Sequence, residues 1–508
     1  MMISFLIRME SIKNKTILKL IEKYKNIWAL EHLERIVGWD LHTYSPEKAI
    51  RLRSEAFAKI SSLKQELFLD KNFAKLIEES KKEKNLNDSE KAVVRILSRT
   101  LREYKIYPKE FLEEYAKVIS ESSKVWEKAK EEKNFKIFEP YLKKVFELTL
   151  KKAEYLGYKE TPYDAILDSF EEGLTCKDVE NYFKELIPGL TELFKYIEGS
   201  KNFCYKHDLE QEEYDIAKME KLNKEMLKFL DWEDKNMRLD VSSHPFTMAI
   251  SNEEARITTK YLGKNFFDTY ASTIHEYGHA LYELNGSKLL EKTPVIGVAS
   301  YSLHESQSRL WERIIATNIK FIEANLDKIK KLGKNFEKYK LQDFYKYFNI
   351  VKKSLIRTMA DEVTYHFHIL IRFELEKEIL ENKIKIEDIP KIWKEKYKKY
   401  LGVEPKNDAE GVLQDMHWGD GAIGYFPNYS IGTSISAYWL HRIEKELGKI
   451  EDLIINEEGI KKIKNWLKEN LHQYASTYSL KETLALNKTK IDPSYLLAYL
   501  NKKYKSLY

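Results

Sequence analysis

The chain is 508 residues long, 43% hydrophobic and 33% charged, with only 18 Gly and 11 Pro, a composition that favours long helices and excludes a linker-rich array or a β-sandwich. Its 86 Lys and Arg stand against 81 Asp and Glu, a net charge of +5, with no block of one sign that could serve as a nucleic-acid arm. Two cysteines, Cys176 and Cys204, cannot frame a protein of this size with disulfides, and they point to a reducing, cytoplasmic setting.

The apolar run from Met1 to Ile7 stops at Arg8 and Glu10, well short of the ~18 apolar residues of a membrane span. It has neither a basic leader nor a small-residue cleavage site, so no signal peptide and no membrane partner is expected, and Met9 is an alternative start. From about residue 11 to 230 apolar side chains recur three or four apart among Lys and Glu, as in Leu142, Val145, Phe146, Leu148 and Leu150, the pattern of amphipathic helices. The polar stretches at 79–90 and 198–213 are too poor in Gly, Ser and Pro to be tethers. Length alone allows about three domains; the unbroken helical texture predicts one multi-lobed helical body instead.

Residues 237–261 break that texture: Val241, Phe246, Ile250, Ile257, Thr258 and Thr259 around Ser251-Asn252-Glu253 predict a short β-hairpin. A helix over residues 266–284 follows, stopped by Asn285-Gly286. On it His275 and His279 stand at i and i+4, which stacks two imidazoles one turn apart where both can reach one ion. Glu276 is turned about 100° aside, able to contact a metal-bound water without displacing it. The bland alternative is two unrelated histidines flanking a solvated glutamate.

A third ligand must come from elsewhere, because Glu283 lies too far along the same helix and the metzincin continuation is absent, position 282 being Tyr and 285 Asn. Glu305 opens a second predicted helix, 303–321, that could return beside the first. Ser302-x-x-Glu305 also has capping-box spacing, so ligand and cap both stand. Glu312, two turns on, is a reserve ligand or a partner for a ligating histidine. Further on, five of the 18 glycines fall between Gly411 and Gly432, which predicts positive φ or a close approach of backbone there.

Several segments together resemble the thermostable carboxypeptidase family, the carboxypeptidase Taq group of zinc metallocarboxypeptidases. They are His244-Pro245-Phe246, His275-Glu276-Tyr277-Gly278-His279, His304-Glu305-Ser306-Gln307, Ile356-Arg357-Thr358-Met359-Ala360-Asp361, and Gly411-Val412-Leu413-Gln414-Asp415-Met416-His417-Trp418. The likeness runs from about Trp39-Asp40 to the C-terminus. One departure is Glu254-Ala255-Arg256-Ile257-Thr258, with Glu where the family has Asp; another is Tyr44-Ser45-Pro46 after the Trp-Asp segment.

The resemblance implies an almost wholly α-helical fold with a deep central groove and a small β element, one divalent ion per chain (zinc, sometimes cobalt), a homodimer, and release of single residues from peptide C-termini. On that basis residues 1–508 form a single domain of two lobes. About 1–230 would be scaffold and groove wall, and about 231–508 would carry the metal site and substrate loop.

The chemistry that fits these residues is metal-assisted amide hydrolysis, with His275, His279 and Glu305 as ligands and Glu276 as general base. His244, His417, Tyr425 and Tyr429 are candidate donors to the tetrahedral intermediate, the last two read as part of the Gly-rich loop. Arg357, then Arg256, are candidates for reading the free C-terminal carboxylate of a peptide substrate, although Arg357 could instead pair internally with Asp361 at i+4. Rival readings are a helical zinc oligopeptidase that cuts internally and a non-enzymatic helical peptide-binding scaffold. The intact His275, Glu276, His279 and Glu305 argue against the second.

Overall fold

A computed structural model describes residues 9–298 and 300–508; the apolar run 1–7 lies outside the described residues. Four helices begin the chain: α1 (Lys15–Thr43), α2 (Ile50–Leu69), α3 (Lys71–Ser80) and α4 (Asp88–Ile106). Asn14 caps α1 by accepting from Thr16 N and Ile17 N. Glu90, in the capping box of α4 with Asn87, also accepts from Lys13 N and Asn14 N at 2.7 Å each, so one buried carboxylate joins the starts of two helices. Ile17, Leu20, Phe73, Ile77, Val93 and Leu97 make a core of their own here, completed by Leu290, Val295 and Ala475 from later in the chain.

The helices α5 (Lys109–Glu131), α6 (Phe135–Leu156), α7 (Pro162–Phe170), α8 (Cys176–Glu198) and α9 (Ile216–Phe229) belong to the second, larger core. The 3.6-residue periodicity read along α6 buries Leu142, Val145, Phe146 and Leu148. Next comes the expected hairpin, β2 (Thr247–Ser251) against β3 (Glu254–Thr259), with Ser251 opposite Glu254. The strand before it, β1 (Met237–Val241), pairs parallel to β3, giving the order β1-β3-β2. The apolar stretch is therefore a three-stranded sheet, since the twelve residues 242–253 between β1 and β3 leave room for the chain to double back.

The helix over 266–284 is α10 (Phe266–Leu284). The run read as one helix over 303–321 is instead α11 (Tyr301–Arg309), a π-helical turn (Leu310–Ile315) and, after a break at which Asn318 caps by accepting from Lys320 N, α12 (Ile319–Lys330). The remaining helices are α13 (Leu341–Phe348), α14 (Tyr365–Leu380), α15 (Ile389–Leu401), α16 (Pro427–Leu447), α17 (Ile450–Leu453), α18 (Glu457–Asn470), α19 (Leu480–Leu486) and α20 (Ser494–Leu507). Among the described residues no helix is long and apolar enough to cross a membrane.

The glycine cluster serves both purposes expected of it. Gly421 and Gly424 take φ of +70° and +90° in the loop before α16, a region that strains residues with a Cβ. Gly432 lies inside α16, where a Cβ would stand 2.7 Å from Ser302 O and 2.8 Å from Glu305 Cβ. Tyr429 is accordingly a residue of the first turn of α16 and not of the loop, because Pro427 starts the helix two residues earlier.

Candidate metal centre and active site

The i, i+4 pair on α10 brings His275 Nε2 and His279 Nε2 to 3.2 Å. Glu305 Oε2, from α11, lies 3.6 Å from each. Two atoms bound at about 2.0–2.1 Å on neighbouring corners of a tetrahedron are about 3.3–3.4 Å apart. The three donors therefore fit one ion, and among the described residues they form the one cluster of His, Cys, Asp and Glu with that spacing.

Glu305 is free for this role because other groups cap α11. Ser300 is the N-cap, accepting from Leu303 N, and the buried Glu171 accepts from Ser300 Oγ at 2.7 Å and Ser302 N at 3.0 Å. The helix is pressed between two others at positions without side chains. Gly432 of α16 faces Glu305, and Gly278 of α10 lies where a Cβ would come 2.7 Å from Gln307 O and Ser308 Cα.

Glu312 approaches the opposite edge of the His275 ring, its Oε2 at 2.8 Å from Nδ1. It reaches there from the π turn, marked by the i→i+5 bond from Ala316 N to Trp311 O at 2.9 Å, a geometry common at functional sites. Arg309 and Arg313 hold Glu312 at 3.0 and 2.6 Å. Burial opposes a charge on His275, yet Glu305 and Glu312 outweigh it and push the ring up to about 9. Burial and the neighbouring His304 push His279 down to about 3. The carboxylates of Glu305 and Glu312 on either edge of His275 favour positive charge here, as a cation site does.

Glu276 is buried beside this cluster. Thr247 of β2 donates to its Oε2 at 2.6 Å, and among the described residues Oε1 has no hydrogen-bond partner. Burial raises its carboxyl above the ordinary range, which suits a group that must take up a proton and give it back.

A second group of side chains lies across α14, α16 and the loop. Arg357, in a short 3-10 turn (Arg357–Met359), donates through Nε to Asp415 Oδ1 at 2.9 Å and through Nη1 to Tyr365 O–H at 3.3 Å. Its guanidinium also covers the Tyr429 ring at 5.1 Å. Asp415 is shared with the fully buried Arg372, whose Nε reaches Oδ2 at 2.6 Å. Asp361 does not pair with Arg357; it accepts from Val363 N and Thr364 N at the entry to α14. His417 Nε2 lies 3.1 Å from Tyr429 O–H. Burial, with Arg357 nearby, pushes His417 down to about 4, so the ring is neutral near pH 7. Tyr425 packs edge-on against Tyr429 at 5.1 Å.

Two candidates stand apart. Arg256 on β3 is tied to Glu254 at 2.5 Å and lies over Trp39, and His244 is exposed in the bend between β1 and β2; among the described residues neither makes a hydrogen bond, ion pair or ring contact with His275, His279 or Glu305. Tyr365, Arg372 and Asp415 were not singled out from the sequence. Asp415 has a signal, its place two residues before His417 in the segment Gly411–Trp418, whereas Tyr365 and Arg372 are ordinary residues of a helix.

The chain matches the family described as "Carboxypeptidase Taq (M32) metallopeptidase" over residues 19–504. It is 41% identical to thermostable carboxypeptidase 1 of Pyrococcus furiosus over 97% of this chain and 99% of that protein. It is 34% identical to carboxypeptidase 1 of Bacillus subtilis over 97% of each chain. A solved structure of the Pyrococcus furiosus carboxypeptidase, described as "Apo-Mg", superposes with a TM-score of 0.96, covering 97% of this chain and 100% of that one.

Proposed function

The chain belongs to the carboxypeptidase Taq (M32) metallopeptidases and is a metal-dependent carboxypeptidase, and we propose that it uses one zinc ion held by His275, His279 and Glu305 to release single residues from peptide C-termini, with Glu276 as general base. The observation that carries this reading is the convergence of three donor atoms beside a carboxylate with one free oxygen. Two imidazoles and a carboxylate suit zinc or cobalt, whereas magnesium favours an all-oxygen set. A bound divalent ion supplies Lewis acidity toward the scissile carbonyl and lowers the pKa of a water.

The rest is done by the chain. Glu276 Oε1 takes the proton of the attacking water and returns it to the leaving amine, while Thr247 keeps the carboxylate from turning away. His417, as the Nε2–H tautomer, donates to the Tyr429 oxygen, which leaves the phenol proton for the developing oxyanion; Tyr425 walls the same corner. Two guanidiniums and one carboxylate (Arg357, Arg372, Asp415) sum to one net positive charge in a buried place. That charge is a fitting counterpart for a substrate's free carboxylate. The proposal includes one domain of two lobes, about 1–230 and 231–508, a homodimer, and a cytoplasmic location supported by the unpaired Cys176 and Cys204.

Mass spectrometry of paired peptides, free or amidated at the C-terminus, tests it. The free peptides should lose residues stepwise and the amidated ones should resist, with all cleavage stopping on chelation and returning with zinc. Cleavage of both at internal bonds would make the protein an oligopeptidase.

A further inference from the structure

We infer that His472, outside the active site, is a positioning residue for the metal centre: it locks the register of the two helices that carry the ligands. The inference rests on the metal reading above. His275 and His279 come from α10 and Glu305 from α11, so the donor spacings depend on how far α11 slides along α10. Where the two helices touch, at Gly278, backbone meets backbone, which interlocks less than side chains in grooves do; beside it His304 of α11 stacks on His279 at 4.1 Å and lies 3.4 Å from Glu283.

His472 adds a tie that reaches both helices at once. Its ring is fully buried and bridges the helices: Nε2–H donates to Gln307 Oε1 at 2.8 Å, and Nδ1 accepts from Asn285 Nδ2 at 3.0 Å. Asn285 caps the end of α10, and Gln307 stands two residues past Glu305. One neutral tautomer makes both bonds, and burial, which pushes the ring down to about 3, keeps it in that form. Tyr282 lies edge-on to the ring at 5.2 Å.

The segment that bears His472 is itself tied down. Gln473 O accepts from Ser287 N at 3.1 Å, and Ser476 N donates to Val295 O at 3.0 Å. Arg95 of α4 donates to Ser476 O at 2.6 Å. Ala475, buried between these ties, has φ 45° and ψ −123°, a conformation that a residue with a Cβ keeps only where its surroundings over-determine it. A histidine on so constrained a strut can transmit position to the helices it joins.

The test compares zinc-loaded wild type with His472→Phe, at a temperature where circular dichroism shows both folded. It measures the rate of zinc loss to excess chelator and the visible spectrum of the cobalt-substituted forms. His472→Phe should lose zinc about 10–100-fold faster and alter the cobalt bands, and His472→Gln, whose amide can still donate to Gln307, should recover part of both. Unchanged loss rate and bands, with only a lower Tm, would overturn the inference by reducing His472 to fold support. Should His472→Phe not fold, Asn285→Ala removes only the Nδ1 partner and should speed zinc loss several-fold; no change there overturns the inference equally. Wild type that holds neither zinc nor cobalt would instead overturn the metal reading itself.

Discussion

The two halves of the active site are built differently. The proposed metal half stands on regular helices, with its candidate ligands at i and i+4 on α10 and a third on α11, pressed together at glycines. The proposed recognition half is gathered from a 3-10 turn, a loop, the first and middle turns of α14 and the first turn of α16. Its central pair, Arg357 and Asp415, is 58 residues apart. Helices convert sequence spacing into geometry directly, so the first half is rigid in design and local in origin. The second half owes its geometry to buried charge pairs, each member of which would be costly to leave alone.

The comparison is sharpest at Glu276. Glu276→Gln should keep zinc, because the ligands are untouched, yet lower kcat by about 100–10,000-fold, since the amide cannot accept a proton. Metal content and single-turnover rates check this, and loss of the ion in this variant would mean that Glu276 belongs to the scaffold of the metal half. In the recognition half, Arg357→Ala should lower kcat/KM for free-carboxylate peptides by about 10–1,000-fold, with much less change for amidated ones and with the cobalt spectrum of wild type. A disturbed spectrum would show that the halves are not separable.

The smallest effect concerns His366, buried behind the recognition half with Nδ1 at 2.6 Å from Ser430 Oγ. Burial pushes this ring down to about 3, against about 6.5 in an unfolded chain. Below pH 6.5 the unfolded state therefore binds a proton that the folded state refuses, and wild type loses stability as pH falls. Its advantage over His366→Gln in urea unfolding should be constant above about pH 7 and narrow below about 6.5 by at most about 1.4 kcal/mol per pH unit. A gap that stays constant down to pH 4.5 would mean that the folded ring accepts the proton.

The same contrast explains what the sequence made legible. The α10 helix and its histidines were readable because periodicity and i, i+4 spacing are local. That Glu305 does not cap α11 was not, since the acceptor for Ser302 N is Glu171, more than a hundred residues away. For Arg357, i+4 spacing offered Asp361. In the structure a 3-10 turn gives way to extended backbone at Ala360, so no helix carries that spacing, and the arginine turns to Asp415. His472 offered no signal at all: its role exists only through Asn285 and Gln307, brought together by packing. The hairpin was legible from β-branched alternation, while the parallel pairing of β1, a non-local choice, was not.

The π turn between α11 and α12 adds a constraint of another kind. Seven positions separate Glu305 from Glu312, and these two carboxylates meet opposite edges of one imidazole, His275. Exchanging Leu310 or Trp311 for another apolar residue would alter packing but keep the count. Deleting either would rotate everything that follows by about 100°, the turn of one helical residue, and would aim what comes after the lesion away from its partner. In this stretch inheritance must therefore preserve the number of codons as strictly as their meaning, so that related genes can drift in spelling here long before they can tolerate a gap.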